Sequence, residues 1–180
     1  ATFIVGEGNV AVIDPGPDLP DHVTALLAGL GDESVTHILV THTHLDHSPA
    51  AAALKTATSA PTYGFGPHGR GPGGIEAGGD ADFIPDVVLK DGDVIDGGGW
   101  QLQALHTPGH TSNHLAFAWP ERKILFPGDL VMGWSTSVVS PPGGNMGDYL
   151  GSLDRLLDRD DEIYWPTHGG PIRNPKAFVE

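Results

Sequence analysis

The sequence contains no cysteine, and it has only 9 lysine and arginine residues against 23 aspartate and glutamate residues. The missing cysteine excludes disulfide bonds, thiolate metal sites and cysteine nucleophiles. A formal net charge of −14 repels phosphate groups, so the composition gives no support for sequence-independent binding of nucleic acid. Any metal ion that the chain binds must therefore be held by histidine, aspartate or glutamate.

Long apolar runs are also missing. No stretch approaches the length of a membrane span, and no signal peptide is visible. We therefore expect no association with membranes and a cytoplasmic location. The first residues, Ala1 to Val5, have the pattern of a strand already under way, and a new segment starts at Ala177 to Glu180. We expect a piece of a longer polypeptide, truncated at both ends.

Glycine and proline, by contrast, are abundant, with 26 and 16 residues, which predicts many turns between short elements. The 180 residues suffice for one domain with a full core, and no repeat or internal linker is apparent. Segments Leu19–Leu30 and Tyr149–Leu157 have the apolar spacing of amphipathic helices. Several short β-branched runs predict strands. We therefore expect a single α/β domain, residues 1–180, with two sheets and helices outside.

The densest group of candidate ligands lies in the segment Thr41–His47, with the sequence THTHLDH. Imidazole nitrogen and carboxylate oxygen are preferred protein ligands of zinc and similar divalent ions. The apolar run Val35–Val40 before this segment predicts a buried strand. After it, Ser48 is expected to cap a helix that begins at Pro49 and continues to about Ala57. The segment is therefore predicted to be a strand-to-helix loop, where α/β proteins usually place their sites.

Spacing within the loop predicts two groups of ligands. In an extended segment, residues two apart point the same way, so His42 and His44 can reach one ion together. Asp46 and His47 follow after the chain has begun to turn, and they can face a second point nearby.

Three further candidate ligands each follow another predicted strand: His110, Asp129 and His168. Strand ends on one edge of a sheet sandwich converge, so these residues can share one cleft. The count suits two metal ions. One ion would be held by His42, His44 and His110, the other by Asp46, His47 and His168, and Asp129 would bridge them.

The pattern His-x-His-x-Asp-His, followed by the distant His110, Asp129 and His168, resembles the metallo-β-lactamase superfamily of hydrolases over nearly the whole chain. The resemblance implies an αββα sandwich of two mixed sheets with helices outside. It also implies that these seven positions bind two divalent ions, usually zinc, with iron or manganese in some branches. Asp14 matches an early aspartate of the family, and it is either an ordinary turn residue or a carboxylate that orients a ligating histidine.

Two branches of that superfamily look similar in the segment His106–His114. One is glyoxalase II, whose basic and tyrosine motif for glutathione has no counterpart here. The other is the β-lactamase-like protein 2 group, whose animal members are single-strand endoribonucleases. Segments Pro127–Gly133 and Met146–Tyr149 are more similar to this second group, which also implies a C-terminal helical domain after residue 180. Asp129 argues against a true β-lactamase, because those enzymes generally lack the bridging aspartate.

We therefore predict a two-metal hydrolase in which a hydroxide shared by the ions attacks a phosphodiester bond. Its substrate would be a small molecule or a single-stranded nucleic acid. A thioester or ester hydrolase of glyoxalase II type is the first alternative, and a metal-dependent binding module without turnover is the second. Asp46 would also orient the hydroxide. His114 is either a structural residue or a donor to the developing negative charge, and the resemblance favours the donor.

The remaining predictions concern the surroundings of the site. The glycine- and proline-rich stretch Phe65–Asp82, which contains His68 and Arg70, is expected to be a mobile surface loop, with a substrate-covering lid as the alternative. Tyr149 and Ser135 are expected to face substrate. Three other histidines are expected to be surface or structural residues: His22, His37 and His106.

Overall fold

Two β-sheets face each other in the computed structural model, which describes residues 1–68 and 78–180. The first sheet is mixed, because its first two strands are antiparallel and the later neighbours are parallel. In spatial order its strands are β1 (Phe3–Glu7), β2 (Asn9–Ile13), β3 (Ser34–Leu39), β4 (Thr62–Gly64) and β5 (Val87–Val88).

The second sheet is antiparallel except for one parallel pair, β9 with β10. Its spatial order runs from the last strand of the chain back to the sixth. The strands are β6 (Val94–Asp96), β7 (Gln101–His106), β8 (Leu115–Trp119), β9 (Ile124–Phe126), β10 (Ile163–Tyr164) and β11 (Ile172–Arg173).

The helices lie on the outer faces of the two sheets. They are α1 (Pro20–Leu30), α2 (Ala50–Thr58), α3 (Met146–Leu157) and α4 (Pro175–Val179), and a short 3₁₀ helix covers Pro120–Arg122. Within the described ranges, every helix is too short or too polar to cross a bilayer.

Alternation along the strands divides the core into three layers. In β2, Ala11 and Ile13 face the second sheet, whereas Val10 and Val12 pack beneath α1 and α2. In β8, Phe117 lies between the sheets and Ala118 packs toward α3. Both faces of these strands are buried, which explains their continuous apolar sequences. The predicted α/β sandwich, with a helix–sheet–sheet–helix order of layers, is confirmed.

Local signals placed two helix starts differently from the structure. The expected cap at Ser48 is wrong, because the residue before α2 is Pro49, and the Ser48 hydroxyl instead donates to Asp80 Oδ2 at 2.5 Å. Helix α3 begins three residues earlier than predicted, since the Asn145 side chain accepts a hydrogen bond from the Asp148 N–H and caps it there.

Within the stretch Phe65–Asp82, residues 69–77, which include Arg70, lie outside the described residues. The described parts on either side of them contact the histidine loop. His68 is buried, the Leu45 N–H donates to Gly78 O at 2.9 Å, and the Asp80 N–H donates to Thr43 O at 2.8 Å. His68 and Asp80 are thus buried against the histidine loop and do not lie on the surface, whereas the mobility of the stretch stays a prediction. A lid over the substrate remains a prediction.

Candidate metal centre

The structure brings the first predicted ligand group together at one end of the sandwich. His42 Nε2 lies 3.0 Å from His44 Nδ1, and His110 Nε2 lies 3.1 Å from the same atom. Three ring nitrogens from the loop after β3 and the connection between β7 and β8 therefore converge on one point.

The second predicted group lies beside the first. Asp46 Oδ2 lies 3.0 Å from His168 Nε2 and 3.5 Å from His47 Nε2. His168 reaches this point from the turn after β10, so segments that are distant in the sequence contribute to one cluster.

Asp129 stands between the two groups and contacts both. Its Oδ1 lies 3.4 Å from His47 Nε2. Its Oδ2 lies 3.7 Å from His110 Nε2 and 3.5 Å from His168 Nε2. The two oxygens of one carboxylate are thus shared between the groups, as the sequence predicts for a bridging residue.

A glycine in the left-handed region makes this position of Asp129 possible. Gly128 has φ 54°, and a Cβ on it would lie 2.7 Å from His114 Nε2. Any side chain would therefore displace the imidazole against which the turn after β9 is packed.

Asp14 fixes the orientation of two imidazoles. Its Oδ2 accepts hydrogen bonds from His47 Nδ1 at 2.9 Å and from the Thr41 hydroxyl at 2.7 Å, and Oδ1 accepts from the Thr41 N–H at 2.7 Å. Because that hydroxyl donates to Asp14, its oxygen accepts from His42 Nδ1 at 3.0 Å. Of the two roles left open for Asp14, the structure shows the orienting carboxylate.

These bonds leave nitrogen lone pairs directed into the cluster. His42 and His47 carry their hydrogens on Nδ1, and His110 Nδ1 likewise donates to Val138 O at 2.6 Å. Among the described residues, two buried atoms at the centre, His47 Nε2 and Asp129 Oδ1, form no hydrogen bond. In the neutral form of His47, the lone pair of Nε2 faces carboxylate oxygens, an arrangement that requires a cation between them, either a proton or a metal ion, so the donor set fits metal ions.

The pKa values of the imidazoles differ between the two groups. Burial, together with neighbouring imidazoles, holds the pKa of His42 well below its ordinary value, and burial also lowers the pKa of His110. Burial alone would lower the pKa of His47 too, but Asp14, Asp129 and Asp46 outweigh it and raise that pKa well above its ordinary value. The carboxylate side of the centre therefore attracts positive charge, which a divalent ion supplies when bound.

His114 lies behind the centre, where it is fully buried. The Asp129 N–H donates to its Nε2 at 3.1 Å, so its other nitrogen carries the hydrogen and donates to Thr107 Oγ1 at 2.9 Å. Both ring nitrogens are thus engaged by the protein. This geometry corresponds to the structural alternative for His114, because it leaves no N–H of the ring for a substrate.

A polar network behind His44 was not found from the sequence. Asn113 Nδ2 donates to Thr43 Oγ1 at 2.8 Å, and His68 Nδ1 lies 2.8 Å from the same oxygen. The His68 ring lies 5.8 Å from the His44 ring, centroid to centroid. The alternation that points His42 and His44 to one side points Thr43 to the other, and this signal identifies Thr43 as a support of the loop.

The other predicted positions lie outside the two groups. Tyr149 donates its hydroxyl to Leu130 O at 3.1 Å, and both Tyr149 and Ser135 line a groove beside the centre. The three histidines expected to be structural make backbone or threonine contacts: His22 with Pro15 O, His37 with Thr36 Oγ1 and His106 with Ser112 O.

Known proteins resemble this chain over its whole length. The lactamase-like protein aptB of Emericella nidulans is 30% identical over 177 residues, which cover 95% of this chain and 51% of the relative. An atrochrysone carboxyl ACP thioesterase of the same organism is 30% identical over 181 residues, which cover 99% of this chain and 54% of the relative. The chain thus spans about half the length of the curated relatives it matches.

A solved structure has the same arrangement of layers. The protein TTHA1623, whose structure is described as a di-iron-bound form, is 29% identical, with a TM-score of 0.76. The similarity covers 98% of this chain and 91% of that protein. The model of the family described as the metallo-beta-lactamase superfamily matches residues 1–168, from the first strand to the last predicted ligand. This chain belongs to the metallo-beta-lactamase superfamily.

Proposed function

We propose that this chain is the catalytic domain of a hydrolase that holds two divalent metal ions and cleaves thioesters. The position of Asp129 carries the proposal. Its carboxylate is buried between two ligand groups, and its Oδ1 forms no hydrogen bond within the described residues. A carboxylate placed in this way is suited to binding two cations at once.

The ligand assignment follows the two groups. His42, His44 and His110 would hold one ion, Asp46, His47 and His168 the other, and Asp129 both. Nitrogen and oxygen ligands suit zinc, and they also suit iron and manganese. We keep zinc as the first candidate, and the di-iron-bound form of a similar protein supports iron as the second.

Two such ions would supply a nucleophile from water at neutral pH and stabilise the negative charge that develops on the substrate oxygen. The protein's own groups hold this arrangement in place. Asp46 lies at the solvent-exposed mouth, and His47, whose Nε2 lies 3.5 Å from its Oδ2, keeps the pKa of Asp46 low, so the carboxylate stays ionised and can accept a hydrogen bond from the attacking water. Asp14 positions His47, and His114 positions the Asp129 backbone.

Charge and relatives favour a thioester over the phosphodiester that the sequence predicts. The net charge of −14 repels a phosphate backbone. The relatives, among them an ACP thioesterase, give no support to a phosphodiester substrate or to the β-lactamase-like protein 2 branch. The thioesterase alternative therefore becomes the leading one. The helical domain after residue 180 and the binding module without turnover stay predictions.

Thiol release tests the proposal directly. The chain has no cysteine, so a thiol-specific dye reports only the thiol released from substrate. We expect zinc-, iron- or manganese-loaded protein to cleave acyl thioesters of N-acetylcysteamine, and metal-free protein to be inactive. The Asp129→Asn variant should keep its fold, bind less metal and lose turnover. The exposed Glu33→Gln variant, a control outside the ligand groups, should match the parent protein.

Four outcomes would contradict the proposal. Thioester cleavage by metal-free protein or full turnover by Asp129→Asn would reject the role of the metal centre. Cleavage of bis(p-nitrophenyl) phosphate or single-stranded RNA without thioester cleavage would restore the phosphodiester prediction. A full complement of metal with no turnover of any substrate would favour the binding module.

A further inference from the structure

An apolar groove of about 720 Å³ opens beside the candidate metal centre. One wall is the segment after β9, residues 131–137 and 139, and the other is formed by α3 and α4. None of these lining residues carries a charged side chain. Trp134 and Phe178 are large apolar residues in this lining, and both are exposed to solvent. A surface of this kind fits an uncharged apolar ligand better than a polar one.

The groove adjoins the metal centre. A neighbouring cavity of about 500 Å³ is lined by His44, His110 and Asp129, and Met132 lines both this cavity and the groove. Ser137, another lining residue of the groove, donates its hydroxyl to the backbone carbonyl of Asp129. A molecule whose reactive end lies at the centre can therefore place an apolar tail in the groove.

We infer that the groove binds the acyl chain of the substrate, a long aliphatic or aromatic group, while its thioester lies at the metal centre. This inference rests on the proposed function, and it names the class of acyl group that the site takes. Each methylene buried from water strengthens binding by up to about fourfold. A decanoyl compound should therefore bind at least about 100-fold more tightly than its acetyl counterpart, even with part of the chain left in solvent.

The first test measures binding without turnover. The probes are decanoyl and acetyl amides, in which nitrogen replaces the sulfur of the thioester. Of the 4 tryptophans, only Trp134 is exposed, so burial by a ligand should shift protein fluorescence to shorter wavelength. The shift should occur with the decanoyl amide in metal-free and metal-loaded protein alike, and the Trp134→Phe variant should abolish it.

A pair of variants on α3 provides the matched control. Met146 and Leu150 lie one turn apart and are 56% and 54% exposed, but only Met146 lines the groove. Met146→Glu places a carboxylate in the groove and should raise the Kd of the decanoyl amide at least tenfold. It should raise the KM for the decanoyl thioester by a similar factor and the KM for the acetyl thioester much less. Leu150→Glu should change none of these values by more than about twofold.

The outcomes separate this inference from the proposed function. If the decanoyl amide shifts Trp134 emission and no thioester is cleaved, the hydrolase proposal fails and the groove assignment stands. If acetyl and decanoyl thioesters are cleaved with equal kcat/KM and the emission does not move, the groove assignment fails and the hydrolase stands. If Met146→Glu turns a dimer into a monomer without changing the Kd, the groove is an interface between copies and the inference is overturned.

Discussion

The two ligand groups of the candidate centre differ in burial and in charge. His42 and His110 belong to a group of imidazoles alone, and burial favours the neutral forms of these two residues. In the other group, the side chains of Asp46 and His168 are 53% and 31% exposed, and a carboxylate supplies negative charge. One group therefore consists of imidazoles, two of them buried, and the other combines the buried His47 with a carboxylate and a histidine that solvent reaches.

This difference predicts different roles for the two ligand groups. A buried ligand set pre-oriented by hydrogen bonds keeps its geometry whether or not solvent reaches it. A set at the mouth is open to water, so a lost ligand there is readily replaced by solvent. We expect the imidazole group to determine whether the centre forms at all, and the exposed group to determine how readily its ion exchanges.

The largest expected effect comes from removing one histidine of each group. His110→Ala should leave at most one metal equivalent and lower kcat/KM by about 10³-fold or more, because it removes a ligand from the group that we expect to determine whether the centre forms. His168→Ala should bind the second ion more weakly and lower kcat/KM by only about 10–100-fold, since water can fill the vacant ligand position. Elemental analysis and thioester kinetics measure both quantities.

Circular dichroism should show the same fold for both variants, and His37→Gln, outside both groups, should behave as the parent protein. Equal losses in His110→Ala and His168→Ala would remove the distinction between the groups. Full activity in His110→Ala would refute the ligand assignment itself.

A smaller effect is expected from replacing Asp14, which bonds His47 directly and reaches His42 only through Thr41. Asn in its place keeps the size but has one acceptor oxygen, not two. With that oxygen on the Thr41 N–H, its N–H₂ faces His47 Nδ1 and cannot accept, so the hydrogen of His47 moves to the nitrogen that faces the centre. His42 is affected only through Thr41. Asp14→Asn should weaken metal binding about 10–100-fold, with the ion of the exposed group lost first.

Competition with a chelator measures the two affinities of the Asp14→Asn variant. Thr167→Val is the control, because the Thr167 hydroxyl lies 3.4 Å from the same carboxylate and does not touch an imidazole. Equal weakening of both ions, or none, would show that Asp14 does not act through His47.

The sequence predicted which candidate ligands meet better than it predicted the residues that support them, and the reason is physical. His42, His44, Asp46 and His47 lie within six residues next to a strand, and local spacing suffices to place them. Asn113 reaches Thr43 across 70 residues, a contact that no local pattern encodes. The supports depend on how distant loops meet, and that is settled by the packing of the two sheets.

Ser48 and His114 also show that local sequence does not determine which distant residues a side chain contacts. Ser48 has the sequence of a helix cap, but its hydroxyl bonds to Asp80, 32 residues away, because tertiary contacts override local preference. For His114 the spacing allowed two roles, and only the hydrogen bond from Asp129 distinguishes them. The layers, by contrast, follow from alternation within single strands, which the sequence displays directly.

The smallest expected effect is that of Asp86, an exposed carboxylate away from the metal centre. The ammonium of Lys55 and the Thr62 N–H and hydroxyl lower the pKa of the exposed Asp86 to about 2. Because this pKa lies below the unfolded value of about 3.9, ionised Asp86 stabilises the fold above about pH 4, and the contribution is lost as the pH falls through about 2. Asp86→Asn should therefore lower the Tm slightly near about pH 5, and the difference from the parent should vanish near about pH 2. Added salt should also reduce it, since an exposed pair is screened. The interactions of the buried carboxylates at the centre should be much less sensitive to the same salt. A Tm difference that persists at low pH would assign the effect of Asp86→Asn to the threonine bonds and not to charge.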